Sequence, residues 1–281
     1  MQKSIECFYP GAGFPSISTT GSACALNCKH CAKKHLEGMI PATTPEELLQ
    51  VADALAERGA SGFLLSGGLD PSGRMRLDAF EDAIREIKST TELRINAHIG
   101  LTPKRDIERL VGCGIDSFSV DVYGSDETVR EVLGLDATVA DYIGVVRDLI
   151  DSNAENVAPH ICVGIHGGSL RGESNAIEQL RKVDPSTLVF IALIPTRGTA
   201  YQGLNPATGA DMVSVISKAR SELPDTRLLL GCMRPKRDRS WEPAAVKAGL
   251  DGIVLPAEST LAALRGEGYT MKKRSVCCAL P

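Results

Sequence analysis

Three thiols within eight residues carry the strongest chemical signal in the chain. Cys24, Cys28 and Cys31 stand at C-x3-C-x2-C spacing in Cys24-Ala25-Leu26-Asn27-Cys28-Lys29-His30-Cys31. Soft sulfur ligands select iron–sulfur clusters or zinc, and three thiolates on one tight loop can hold three irons of a 4Fe–4S cluster. No fourth cysteine lies nearby, so the fourth iron is left open for chemistry. A structural zinc site wants four ligands, often as two C-x2-C pairs. His30 is a poor fourth ligand because it is adjacent to Cys31. Three buried structural cysteines are the blander alternative, since buried Cys is common.

The chain holds nine cysteines in all. With no export signal in view, they read as metal ligands rather than disulfides, which points to a reducing, cytoplasmic compartment. Cys277 and Cys278 are adjacent near the C-terminus, where free thiols are hard to explain as core. With Cys7 and with Cys232 in Leu230-Gly231-Cys232-Met233-Arg234-Pro235, they make four, enough for a second 4Fe–4S cluster. Arg234 alternates with Cys232, so it is expected on the same face, beside that cluster or binding a substrate carboxylate. Cys113, between Gly112 and Gly114 at a helix end, reads as structural.

The elements that must position these groups are legible as alternation. Short apolar runs fall at 17–20, 63–66, 93–99, 117–123, 160–166, 188–194, 227–233 and 252–255. Helical patterns lie between them, over 44–60, 77–89, 103–112, 126–133 with 138–152, 173–183, 209–223, 243–248 and 258–266. Thr44-Pro45-Glu46-Glu47 is a capped helix start. Gly59, Gly112, Gly249 and Gly266 stand where helices should stop. Eight strands alternating with helices predict parallel strands joined by crossovers, and eight such units suit an α/β (β/α)8 TIM-type barrel. Residues 1–15 read as an irregular N-terminal extension, 16–267 as the barrel and 268–281 as a C-terminal tail.

In such barrels the site lies at the C-terminal ends of the strands. The cysteine loop follows the first strand. Ser66-Gly67-Gly68 follows the second, where glycines allow close backbone approach. His98 shares a strand face with Asn96, and Asp121 with Ser119. Asp121 could accept hydrogen bonds from ribose hydroxyls or cap a turn. Cys162, Gly164 and His166 are expected on one face of the fifth strand. Glu173 reads as a helix start, where its charge is favourable.

Composition sets outer bounds. A hydrophobic content of 43% over 281 residues supports a large core, and only 4% is aromatic, so Leu, Ile, Val and Ala must fill it. The net charge of −4 argues against a nucleic-acid partner. No apolar run is long enough for a membrane span, and no signal peptide is expected.

The cysteine loop, the Gly-Gly pair, the strand 5 pattern and the barrel periodicity together resemble the radical SAM superfamily, in its biotin synthase-like group. The resemblance implies that the cluster on Cys24, Cys28 and Cys31 binds S-adenosylmethionine (SAM) and cleaves it to a 5′-deoxyadenosyl radical. It implies cofactor contacts from His30 near the adenine, from Ser66, Gly67 and Gly68 at the methionine amino group, and from Gly164 at the base, with His98, Asp121 and His166 on the same face. Cys162 is a rival second-cluster ligand, because biotin synthase has a cluster ligand on strand 5. The combination of Cys7, the Cys232 segment and the Cys277-Cys278 end is similar to subunits of the two-protein lipoyl synthases. That implies sulfur insertion into a protein-bound octanoyl chain, a related radical SAM partner subunit, an octanoylated carrier protein or lipoyl domain, and an electron donor such as ferredoxin or flavodoxin. The C-x4-C-x5-C and Arg-Ser-Ser-Tyr motifs usual in lipoyl synthases are absent. Two other outcomes stay open. One is a biotin synthase-like, mutase or methylating enzyme with an electron-relay second cluster, and the other is a non-catalytic Fe–S subunit.

Overall fold

The computed structural model describes residues 3–281. The eight expected strands form, and three more join them. In chain order they are β1 (Ser4–Phe8), β2 (Ser16–Ser18), β3 (Ile40–Pro41), β4 (Gly62–Ser66), β5 (Arg94–His98), β6 (Ser117–Asp121), β7 (Val157–Val163), β8 (Thr187–Ala192), β9 (Arg227–Leu230), β10 (Gly252–Val254) and β11 (Thr270–Arg274). They make one parallel sheet in the order β11-β1-β10-β9-β8-β7-β6-β5-β4-β2-β3. The sheet curls into a half-barrel. Its edge strands, β11 and β3, do not pair with each other. Across that seam, Ser61 donates to the carbonyls of Gly13 and Ser275.

Two expectations change here. The extension is not irregular throughout, because Ser4–Phe8 pairs between β10 and β11, with Glu6 opposite both Gly252 and Lys272. Likewise the tail begins as an edge strand, β11. Its Lys272, Lys273 and Arg274 are exposed, charges that discourage pairing with another chain. Both segments are short; β11 is polar, while β1 buries Ile5, Cys7 and Phe8.

Nine helices cover the outer face: α1 (Pro45–Glu57), α2 (Glu81–Thr90), α3 (Lys104–Val111), α4 (Asp126–Thr128), α5 (Val139–Asp151), α6 (Glu173–Leu180), α7 (Gly209–Glu222), α8 (Glu242–Lys247) and α9 (Glu258–Gly266). Thr44 caps α1 by accepting from the Glu47 amide, and Thr138 and Thr208 close capping boxes on α5 and α7. Gly59 and Gly249 take the positive φ that ends a helix, whereas beyond α3 and α9 Gly114 and Gly268 do so instead of Gly112 and Gly266. None of these helices is long and apolar enough to cross a membrane.

The main core lies between strands and helices, and its fully buried members include Ile17, Leu48, Phe63, Ile84, Ile95, Phe118, Leu180 and Phe190. Inside the curl, residues 275–281 fold under the base. Cys278 and Ala279 pack on Phe8, Ala158, Val189, Leu229 and Val254. The Ala279 carbonyl accepts from Ser117 Oγ at 2.6 Å and Asn156 Nδ2 at 2.6 Å. The tail therefore closes the N-terminal end of the half-barrel, leaving the C-terminal end as its mouth.

Candidate active site

The cysteine loop leaves β2 at that mouth and is held by backbone bonds to two other strand-end loops. Ala25 N–H donates to the Leu69 carbonyl at 2.8 Å, and Lys29 N–H to the Val132 carbonyl at 2.8 Å. Leu69 N–H donates to Cys24 Sγ at 3.3 Å, and the Cys28 thiol points at the Leu133 carbonyl at 3.8 Å. Thr20 Oγ1 accepts from Gly68 N–H at 2.7 Å and donates to Ala23. A Cβ on Gly68 would lie 1.9 Å from the Ala23 carbonyl and 2.6 Å from Cys24 Cα. Gly68 is thus required for the cysteine loop to sit this close. Leu26, in the middle of the loop, is buried in an apolar cluster with Tyr123, Val132, Leu133, Ile165, Leu193 and Tyr201, against which Cys24, Cys28 and Cys162 pack. Burial, then the neighbouring Cys31 and Cys24, push the Cys28 thiol up to about 12, so loading a metal there must displace a proton.

The placement of these thiols is compatible with a cluster. Among the described residues, only Glu127, Glu131 and His166 bring three candidate ligand atoms within 4.8 Å of one another. Cys24, Cys28 and Cys31 do not all come that close together here. Thiolates on a 4Fe–4S cluster bind separate irons, so the wider spread fits the cluster.

Below the loop, β5, β6 and β7 turn polar groups inward. His98 Nε2 lies 3.2 Å from Asp121 Oδ2, and the His98 and His160 rings are 6.2 Å apart. Although burial opposes ionisation, His98 and its hydrogen bond bring Asp121 down to about 2. The same burial opposes charge on His98, but Asp121 outweighs it and raises His98. Burial takes His160 down to about 4. One residue pair deeper, Ser119 Oγ donates to Asn96 Oδ1 at 2.9 Å. Asn96 Nδ2 meets Cys277 Sγ at 3.7 Å. His30, within the loop, is half-buried with no partner on its enclosed Nδ1, and burial lowers it to about 4.

The structure brings together three of the four thiols expected in a second set. Cys277 and Cys278 are adjacent and interact electrostatically, and the exposed Cys232 lies within electrostatic reach of Cys277. The Cys278 thiol, then the Ala279 amide and Asn96, hold Cys277 below the ordinary thiol value against the effect of burial. Cys7 is elsewhere. On β1 its neighbour Phe8 faces the lumen, so the pleat turns Cys7 outward into the helix-facing core. Cys162 packs with the Cys24–Cys28 cluster instead.

Arg234 is also placed differently from the expectation. β9 ends at Leu230, so strand alternation does not reach Arg234. Its side chain is fully buried, with Nη2 2.8 Å from Glu242 Oε1 and Nη1 2.5 Å from the Gly231 carbonyl. It ties the loop that carries Cys232 to α8 and does not face the lumen.

On the fifth strand the expected single face is broken. β7 stops at Val163, and Gly164 turns with φ +71°, its Cα facing Ala207. His166 leaves the lumen and bonds Thr128 Oγ1 at 3.0 Å. One residue and one segment acquire roles that the sequence reading did not assign. Glu173 is buried and accepts from the Gly164 amide at 2.8 Å. Its other oxygen has no partner and sits at a small cavity lined by Val122, Tyr123, Thr128 and Cys162. The segment after α4, Val129–Leu133, is a π turn whose Val132 and Leu133 carbonyls support Lys29 and Cys28. π geometry has no local signature beyond the Gly134 that terminates it.

A family profile described as the radical SAM superfamily matches residues 18–174. The chain is 24% identical over 233 residues to a biotin synthase of Halalkalibacterium halodurans, covering 80% of this chain and 68% of that one. Among solved structures, it superposes on HydG, a maturase of the [FeFe]-hydrogenase, with TM-score 0.63 and 16% identity over 90% of this chain, spanning 57% of that protein. Methylornithine synthase gives TM-score 0.64 and 16% identity over 98% of this chain and 84% of the other.

Proposed function

The chain belongs to the radical SAM superfamily, and from that premise we propose that it inserts sulfur into an unactivated carbon chain, as one subunit of a lipoyl synthase acting on a protein-bound octanoyl group. Family membership implies a 4Fe–4S cluster and SAM. Cys24, Cys28 and Cys31 would hold that cluster, and Cys232, Cys277 and Cys278 a second one. Bound there, the first cluster with SAM supplies a hydrogen-abstracting radical and the second supplies sulfur.

The observation that carries the reading is that the tail brings Cys277 and Cys278 against β9, in electrostatic reach of the exposed Cys232 in the loop that follows it. Asn96 links Cys277 to the strands that hold Asp121 and His98. The chain's own groups then divide the work. The apolar cluster around Cys24 and Cys28 excludes water from a radical reaction. Asp121, kept ionised by His98, presents a hydrogen-bond acceptor suited to ribose hydroxyls. The tail shuts the base, so a substrate does not enter from that end.

The test is iron and sulfide counting on reconstituted protein, with octanoyl conversion followed by mass. Eight irons in wild type should fall to four in Cys277→Ala/Cys278→Ala and stay at eight in Cys7→Ala. Four irons in wild type would refute the second cluster, and the sulfur-insertion reading with it. Cleavage of SAM should persist in the double variant; its absence in wild type would remove the enzyme reading altogether.

A further inference from the structure

At the mouth of the half-barrel the surface charge opposes that of the chain as a whole. The sequence carries −4. Yet Lys33 in the cysteine loop, Arg197 in the β8–α7 loop, and Lys236 and Arg237 in the β9–α8 loop are all exposed, and no described residue forms an ion pair with them. Elsewhere on the rim, Arg76 is neutralised by Asp78 and Arg171 by Glu127, while exposed Lys104 and Arg130, outside this arc, form no ion pair with a described residue. The loops meet. A Cβ on Gly198 would come within 3.2 Å of the Lys34 side chain, and Ala192 N–H donates to the Met233 carbonyl. Lys34 itself is paired with Glu37, and the one acid beside Lys236 and Arg237, Asp238, is tied to Ser240.

Apolar surface lies within the same arc. Leu204 is 41% and Met233 37% exposed, and the other exposed large hydrophobics, Leu170 and Leu255, sit on the adjoining β7–α6 and β10–α9 loops. All four are therefore at the open end of the sheet. Clustered, unpaired cations repel one another and do nothing for the fold. Apolar side chains beside them gain nothing from water.

We propose that this arc docks an acidic protein domain that delivers its substrate as an aliphatic chain on a flexible arm. The inference rests on the octanoyl-chain reading above and adds the docking surface and the partner's charge. The cations hold the domain at the rim, while Leu204 and Met233 line the way for the chain into the lumen from its open C-terminal end. A nucleic acid fits less well, because a long polyanion would also meet the negative remainder of the chain.

The test uses the reconstituted holoenzyme and its Arg197→Glu/Lys236→Glu/Arg237→Glu variant. The probes are an octanoylated lipoyl domain of net negative charge and a neutral tripeptide carrying octanoyl-lysine. Calorimetry under anaerobic conditions should show the variant binding the domain at least about tenfold more weakly at 50 mM salt, the gap closing by 500 mM. Affinity for the tripeptide and SAM cleavage without substrate should not change. Equal domain affinity in both proteins, with the tripeptide bound normally, would overturn the docking surface alone. Wild type that binds neither probe would overturn the function from which it follows. If charge reversal instead slowed reduction by an acidic flavodoxin and left domain binding intact, the arc would belong to the electron donor. Tighter binding of RNA than of the domain would also overturn it.

Discussion

Replacing Arg234 by Met should destabilise the protein severely, and for a reason unconnected with substrate. Arg234 and Glu242 are both fully buried. Glu242 Oε1 receives the guanidinium at 3.1 Å and 2.8 Å, while Oε2 receives Thr260 Oγ1 at 2.7 Å and the Ala257 amide at 3.1 Å. Removing the guanidinium strips one carboxylate oxygen and leaves a charge in the core. Arg239 Nε, 3.5 Å from Oε1, stays as a partial counter-charge but is too distant for a hydrogen bond as it stands. Breaking a buried pair from one side costs about 3–5 kcal/mol. The carbonyls of Gly231 and Val254 also lose their donor, at about 1 kcal/mol or more each. With a midpoint shift of roughly 2–4 °C per kcal/mol for a chain of this order, melting should fall by about 10 °C or more. Anaerobic thermal unfolding followed by circular dichroism reads this directly. The double variant Arg234→Met/Glu242→Leu removes both charges and should recover most of the loss. A single variant melting within 2 °C of wild type, or a double variant no better than the single, would refute the buried-charge account. Because the pair anchors the loop that carries Cys232, iron bound by the second cysteine set should fall in the single variant as well.

Gly68→Ala should lower iron occupancy at Cys24, Cys28 and Cys31 with a small change in melting, since its Cβ collides with the cysteine loop and not the core; full iron with unchanged cluster spectra would contradict this. Truncation after Arg274 removes the buried Cys278, Ala279 and Leu280 and should cost roughly 3–4 kcal/mol in urea unfolding; an unchanged midpoint would show that the tail does not close the base. The His98–Asp121 pair should make stability fall on the alkaline side. His98 is raised above 6.5, so its contribution is complete below that value and is lost as pH rises through the folded value. Asp121 is depressed to about 2, so its contribution is complete above 3.8 and is lost as pH falls toward 2. The pair therefore helps most between those limits. From pH 6 to 9 the urea midpoint of wild type should drop toward that of His98→Gln; a constant gap would count against the pairing.

What could be read along the chain was local. Cys24, Cys28 and Cys31 declare a cluster loop by spacing alone, because ligands for one cofactor on one loop need no help from distant chain. Caps such as Thr44 and Thr138 mark helix starts because they bond within a turn. The alternation of eight strands with helices follows from residue pattern, which is why the α/β architecture was legible. Other features were decided by tertiary structure, because each depends on which segments meet. The β1 pleat sends Cys7 outward, away from Cys277, whereas folding of the tail under the base carries Cys277 to Asn96. Arg234 lies past the end of its strand, so its direction is set by Glu242 on a later helix. The need for Gly68 comes from the backbone of Ala23 and Cys24 across the mouth. The cationic arc exists only because loops separated by more than 150 residues in sequence, at Lys33 and Arg197, are closed into one rim by the curl of the sheet.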